Sequence, residues 1–373
     1  MKFVANKDDL LNGIRIVERA TVVRGLQPVL ANVLIETISD SQIKLTATDF
    51  DLSITTLINA KVEAEGKITL PAKKLGEILS RLNDDIMNLE LNGSTATIKC
   101  KNSKFDIIGI SANEFPKVEE NIAETDSLEI ETLPFTKAIR QVVPAAAGYE
   151  TNNLLSGVIC QVNKNILEMA ATDGNRLARV REVVKNNSAD EENPFEMLIS
   201  SKVLSELSKI SLLTESETIK ICKEQKKIVI TIDKTKIITR LMQGQFPKYN
   251  QLIPQTFPKE ATVNKGDLIA ALERVAVMVN EKNSIVKFEF EDNTLKLSGD
   301  SPEAGNSQDE VDIKYTGEPL AIAFNYKYIV EFLKIAESED IKIQLNSPLS
   351  ATVFVPCSDE DYIYLVMPVQ LRG

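Results

Sequence analysis

Apolar and polar positions along this 373-residue chain follow two periods. Residues 33–45, 158–169 and 286–297 alternate one by one, the pattern of half-buried strands. Residues 67–70, 96–100 and 227–232 add β-branched stretches set off by turn residues. Asn92-Gly93 marks a hairpin, because both residues tolerate positive φ. Six other segments place apolar residues three and four apart, which predicts helices over 7–24, 71–85, 134–150, 200–214, 265–284 and 325–337. Pro144 falls inside the third of these and should kink or restart it.

The pattern repeats. Leu45-Thr46-Ala47-Thr48-Asp49-Phe50 returns as Met169-Ala170-Ala171-Thr172-Asp173-Gly174, with the aspartates 124 residues apart. A fainter copy, Leu297-Ser298-Gly299-Asp300, follows 127 residues later. Lys73 with Glu77, Lys202 with Glu206 and Lys327 with Glu331 recur at offsets of 129 and 125, each pair one helical turn apart and flanked by apolar residues. Phe115-Pro116-Lys117 matches Phe246-Pro247-Lys248. Echoes in one order at nearly one offset predict a triplicated unit. The fold class is α+β: three tandem domains, each with two helices on one face of a mainly antiparallel sheet. The boundaries fall at 1–125, 126–255 and 256–373.

Composition then narrows the chemistry. The chain contains no histidine, which excludes Ser-His-Asp and Cys-His machinery. Gly66-Lys67-Ile68 lacks the upstream glycine and the Ser or Thr of a phosphate-binding loop. Asp84-Asp85 and Glu119-Glu120 read as solvated turn residues. No enzyme activity, metal or cofactor is therefore expected. Cys100, Cys160, Cys222 and Cys357 are widely spaced and read as buried reduced thiols. No apolar run approaches the roughly 20 residues of a membrane span, and the opening Met1-Lys2-Phe3-Val4 reads as a strand, so a cytoplasmic location is expected.

Net charge is −11, which by itself disfavours a nucleic-acid partner. Its distribution changes the picture. The six predicted helices carry 16 Lys and Arg against 13 Asp and Glu, leaving −14 for the rest of the chain. A mildly basic helical surface on an acidic body suits a protein that holds DNA without sticking to it, and equally suits amphipathic helices whose solvated faces carry charges of both signs.

The ordered set of motifs resembles the bacterial DNA polymerase III β subunit, the sliding-clamp family. It comprises the opening Met1-Lys2-Phe3, Thr172-Asp173-Gly174 with Arg176-Leu177, Phe246-Pro247 with Tyr249, Phe324-Asn325 with Tyr328, and the closing Val366-Met367-Pro368-Val369. The resemblance spans the whole chain. It implies a head-to-tail homodimer closed as a ring around double-stranded DNA, bound without sequence preference. The ring would act as a processivity factor that tethers the replicative polymerase subunit, is opened by an ATPase clamp loader, and serves other repair and replication proteins.

The resemblance also implies a partner-peptide groove between the second and third domains. Its walls would be Leu155, Thr172, Gly174, Arg176, Leu177, Pro247, Leu252, Asn325, Tyr328, Leu349, Val366, Met367 and Pro368. Arg24, Lys73 and Lys202 would contact DNA. Asn175, Asn283 and Gln370 depart from residues common in the family, and Arg372-Gly373 extend beyond its usual end. These departures bear on which peptides the groove prefers.

Overall fold

The computed structural model describes residues 1–22, 27–121, 127–148, 154–185, 195–279, 284–301 and 305–370. In the first third, β1 (Lys2–Asn6) leads into α1 (Lys7–Val17), followed by β2 (Asn32–Ser39), β3 (Gln42–Thr48), β4 (Leu52–Ala64) and β5 (Lys67–Pro71). Then come α2 (Ala72–Leu79), β6 (Ile86–Asn92), β7 (Thr95–Cys100) and β8 (Ser103–Ile108). The middle third runs β9 (Ser127–Glu131), α3 (Thr132–Val142), β10 (Gly157–Asn163), β11 (Ile166–Thr172), β12 (Arg176–Val183) and β13 (Phe195–Ser200). It continues with α4 (Ser201–Ser211), β14 (Thr218–Glu224), β15 (Lys227–Ile232) and β16 (Thr235–Arg240). The last third runs β17 (Lys259–Asn264), α5 (Lys265–Ala276), β18 (Ile285–Glu291), β19 (Thr294–Ser301), β20 (Gly305–Thr316) and β21 (Leu320–Asn325). It ends with α6 (Tyr326–Ile335), β22 (Asp340–Leu345), β23 (Thr352–Pro356) and β24 (Tyr362–Val366). One strand, a helix, four strands, a helix and three strands are thus spelled three times.

Local chemistry repeats with the elements. The Asn6 side chain caps α1, accepting the Asp8 and Asp9 N–H groups at 2.8 and 3.2 Å. Asn264 caps α5 in the same way, through Gly266 and Asp267 at 2.9 and 3.2 Å. Such caps satisfy N–H groups that the first helical turn leaves without partners. The helices are shorter than their apolar patterns predict. α1 gives way at Val17 to a 3-10 turn over Glu18–Ala20, and α3 stops at Val142 because Pro144 sits in a 3-10 turn over Val143–Ala145. Each of the three long alternating runs is two strands folded into a hairpin: β2–β3, β10–β11 and β18–β19. The Asn92-Gly93 signal is offset by one residue. Asn92 is the last paired residue of β6, and Gly93, at φ +60°, opens the turn.

The chain forms two compact units, the first mainly Met1–Thr132 with Glu206–Leu241, the second mainly Leu133–Lys185 with Met242–Gly373. Each holds one 12-stranded sheet, and every registered pairing is antiparallel. The first sheet continues across β4–β16, from Leu52 opposite Thr239 to Thr56 opposite Thr235. The second continues across β12–β24, from Arg176 opposite Val366 to Val180 opposite Tyr362. The middle third therefore lends strands to both sheets, and compactness does not follow the sequence repeat.

Within the first unit, α1 lies directly on the sheet. A Cβ at Gly13 would come within 2.6 Å of the Ile58 Cδ1 and 2.8 Å of the Leu45 Cδ1, so a larger residue there would force those side-chain tips to move. Phe3, Leu10, Ile14, Leu45 and Leu75 are fully buried there. In the second unit, Phe288, Phe324, Phe332 and Phe354 form a chain of ring contacts. Three cysteines are buried as expected, but Cys357 is exposed in the turn after β23.

Candidate functional site

The join of β12 to β24 has two chemically different faces, because alternate residues of a strand point to opposite sides. On one face, Leu177 and Leu365 stand opposite each other and form a buried cluster with Ile159, Ala170, Leu198, Phe246 and Tyr249. Leu154, Met242, Ile253 and Phe257 pack against its margin. On the other face, Tyr362, Tyr364 and Val366 are buried, and Phe332 of α6 stacks on Tyr364 at 5.0 Å.

At the end of this join the chain turns between β11 and β12. The Thr172 hydroxyl donates to the Arg176 carbonyl at 2.6 Å and accepts the Gly174 N–H at 3.1 Å. The Asp173 carboxylate accepts the N–H groups of Asn175 and Arg176 at 2.8 and 3.0 Å. Gly174 adopts φ +91°, a backbone state in which a Cβ is strained. The Met367 N–H donates to the Asn175 carbonyl at 2.8 Å, which ties the tail after β24 to the same turn.

Arg176 is the hub of the helix-side face. Its Nε donates to Asp173 at 3.0 Å, and its Nη1 binds Glu331 and the Tyr364 hydroxyl, the latter at 3.2 Å. The guanidinium lies 4.3 Å from the centre of the Tyr328 ring. Burial works against its charge, yet Tyr364 and Glu331 outweigh that cost and hold it firmly protonated. Burial, reinforced by Asp173, pushes the Tyr328 hydroxyl up.

Beside the apolar cluster lies a polar one. The Tyr249 hydroxyl and the Arg181 Nε both donate to Glu168. Burial alone would raise the Glu168 carboxyl, but these two donors outweigh it and hold the group below the ordinary carboxylate range. Burial, helped by Glu168, pushes the Tyr249 hydroxyl up.

The structure brings most of the sequence-predicted groove residues to this join, in unequal roles. Thr172 and Leu177 are buried and form its floor. Leu252, Leu349 and Met367 are exposed apolar side chains, Gly174 and Pro247 are exposed, and Leu155 and Pro368 are half-buried. Asn325 caps α6 by accepting the Lys327 N–H at 3.1 Å, and Tyr328 lies under Arg176. Val366 is placed differently from the expectation. It lies on the helix side with no exposed surface, and its neighbour Leu365 occupies the cluster side. Leu365, Phe246, Tyr249 and Leu154 were not among the predicted wall residues. The alternation of Ile363, Leu365 and Met367 along the last strand is the signal that finds the first of them.

Asn175 and Gln370 are exposed, while Asn283 and Arg24 lie outside the described residues. Lys73 is exposed on α2 and Lys202 half-buried on α4. The recurring glutamates take different partners: Glu77 binds Lys74, Glu206 binds Arg19 and Lys209, and Glu331 binds Arg176. The repeat therefore marks a helix position rather than one conserved ion pair.

Comparison with known proteins identifies this arrangement. Residues 1–119, 129–248 and 250–370 match the N-terminal, central and C-terminal domains of the DNA polymerase III beta subunit. The chain is 38% identical over 378 residues to the beta sliding clamp of Synechococcus elongatus, covering 100% of both chains. It is 32% identical to that of Synechocystis, again with 100% of both covered. Among solved structures, the DNA polymerase III beta subunit of Thermotoga maritima superposes with a TM-score of 0.92 at 29% identity, covering 100% of both chains. The sliding clamp of Pseudomonas aeruginosa bound to griselimycin superposes with a TM-score of 0.91 at 27% identity, also over 100% of both. The chain belongs to the DNA polymerase III β subunit family, the β sliding clamps of DNA replication.

Proposed function

We propose that two copies of this chain join head to tail into a closed ring around duplex DNA. The ring acts as a processivity factor: it tethers the replicative polymerase subunit and performs no chemistry itself. The observation that carries this reading is a rule of strand pairing. β16, the last strand of the middle third, pairs with β4 of the first third. β24, the last strand of the last third, pairs with β12, the counterpart of β4 in the middle third. Applied once more, the rule joins β8, the last strand of the first third, to β20 of a second copy. Both edges are open among the described residues: β8 pairs with β7 alone, and the part of β20 from Gly305 to Asp312 pairs with β19 alone. Ile108 on the β8 edge is 75% exposed. A head-to-tail contact that closes makes a ring, and closure covers edges that would otherwise recruit foreign strands.

The charge distribution supports DNA in the hole. The six observed helices carry 12 Lys and Arg against 7 Asp and Glu, a net +5 in a chain of −11. Lys73, Lys202 and Arg24 meet phosphates without reading bases, which permits sliding. The β12–β24 join is the docking groove for short peptides of the polymerase subunit, the clamp loader and other repair and replication proteins. An apolar floor with a few orienting polar groups suits that use. The proposed domains run 1–125, 126–255 and 256–373; the matched segments 1–119 and 129–248 lie inside the first two, while the C-terminal segment begins at 250, ahead of the last boundary. The protein works in the cytoplasm, and no helix among the described residues is long and apolar enough to cross a membrane.

Sedimentation equilibrium tests the ring interface. The protein is expected to be a dimer at micromolar concentration, and Ile108→Asp a folded monomer. A wild-type monomer under those conditions contradicts the proposal.

A further inference from the structure

The first unit carries a cleft built on the same frame as the groove of the second. The Thr48–Asp49 turn repeats the Thr172–Asp173 turn. The Thr48 hydroxyl accepts the Phe50 N–H at 3.1 Å, and Asp49 accepts the N–H groups of Asp51 and Leu52 at 3.1 and 2.7 Å. The Asp49 N–H donates back to Leu52 at 3.0 Å, as Asp173 does to Arg176 at 3.3 Å. The strand after each turn then pairs with the last strand of the following third. Ser53 opposite Ile238 stands where Leu177 stands opposite Leu365, and Leu52 opposite Thr239 stands where Arg176 stands opposite Val366. Phe115-Pro116-Lys117 takes the place of Phe246-Pro247-Lys248. Together these elements enclose a cleft of about 790 Å³.

Three differences give this cleft its own chemistry. Where the groove has Gly174, the cleft has Phe50, held at φ +75° and 58% exposed as a residue. A bulky side chain in the left-handed region is strained, and an exposed ring gains little from burial in return. Strain retained at a surface point is a reason to look for function there. The floor is polar, and its hydroxyls already have partners: Thr48 and Ser53 bond each other at 2.7 Å, and Thr239 donates to the Asp51 carbonyl at 2.9 Å. The walls carry four cations, Lys117, Lys226, Lys227 and Arg240, against Asp51, Glu119 and Glu224. Lys227 is bridged to Glu119 at 3.7 Å, but Lys117, Lys226 and Arg240 line the cleft with no ion pair among the described residues.

We propose that this cleft is a second docking site, distinct from the β12–β24 groove. Its ligand is a short acidic segment of a partner protein carrying one aromatic side chain. The aromatic ring lies on Phe50, and the carboxylates meet Lys117, Lys226 and Arg240. A peptide fits better than a nucleic acid strand, because Asp51 and Glu224 also line the cleft and repel an unbroken run of phosphates. A peptide can place its charges singly.

The test uses the full chain and a fluorescein-labelled peptide with one phenylalanine between two pairs of glutamates, followed by fluorescence polarisation. Saturable binding is expected. Phe50→Gly and Arg240→Glu should each weaken it about tenfold or more, the usual scale for a buried aromatic or charged anchor. Phe50→Gly supplies the residue the second unit already uses in this turn, so its melting temperature should be no lower than wild type. Arg240→Glu keeps the test decisive if that variant folds poorly. Met367→Ala, in the other groove, should leave the affinity unchanged. The proposal is overturned by absence of saturable binding up to about 1 mM, the weak end of specific association. It is also overturned by wild-type affinity in both cleft variants, by loss of binding in Met367→Ala, or by an oligothymidylate that competes equally well.

Discussion

Arg176→Ala should destabilise the second unit by about 3 kcal/mol, a figure worked from its contacts. The bond to Asp173 at 3.0 Å is shielded, with side-chain exposures of 10% and 14%, and a buried bond to a charged group is worth about 1.5–3 kcal/mol. The pair with Glu331 is discounted to at most about 1 kcal/mol, because Glu331 is 48% exposed. Contact with the Tyr328 face adds about 0.5–1 kcal/mol. The substitution also removes the donor to Asp173 Oδ2, leaving that carboxylate only its backbone partners, and the donor to the Tyr364 hydroxyl. For a unit of this size each kcal/mol moves the midpoint by roughly 2–4 °C, so a fall of about 6–12 °C is expected in calorimetry. Arg176→Lys keeps the charge but loses the planar fork, and should fall between wild type and Ala. A shift under about 3 °C for the alanine variant would show that these contacts behave as solvated surface pairs, and would refute the hub.

Two further outcomes follow from the same face. Met367→Ala with Pro368→Ala should weaken polymerase-peptide binding while sedimentation still reports a dimer; unchanged peptide affinity removes the groove assignment. Glu168 has a lowered carboxyl pKa in the fold, so its contribution is present above the ordinary carboxylate value of about 4.3 and is lost as pH falls through the lower folded value. Glu168→Gln should therefore lower the melting temperature at neutral pH and flatten its decline in acid. Melting curves that stay parallel to wild type down to acid pH would exclude that role.

The triplication was legible because each copy must bury the same helix and strand faces, which keeps apolar spacing in register even where individual residues change. Hairpin turns were less visible. Lys164 takes positive φ in the β10–β11 turn without glycine, so the alternating pattern runs through it unbroken. The helix ends were overestimated because apolar spacing continues past Val17 into a 3-10 turn, with no glycine to mark the stop. The role of Arg176 could not be read locally, since Glu331 and Tyr364 lie 155 and 188 residues away in sequence. The closing motif points to Val366 as a groove residue, whereas strand parity assigns that face to Leu365. Nothing in the sequence announced that the middle third would be shared between two sheets, because edge-to-edge pairing depends on backbone groups rather than side chains.

A closed ring links protein and DNA topologically, and plasmid retention measures that link directly. Protein loaded by a clamp loader onto nicked circular DNA should stay bound through gel filtration in high salt, where phosphate contacts are screened. It should be released when a restriction enzyme linearises the plasmid, because an encircling ring slides off a free end. Equal loss from circular and linear DNA, or equal retention on both, would contradict a ring that holds DNA by encirclement.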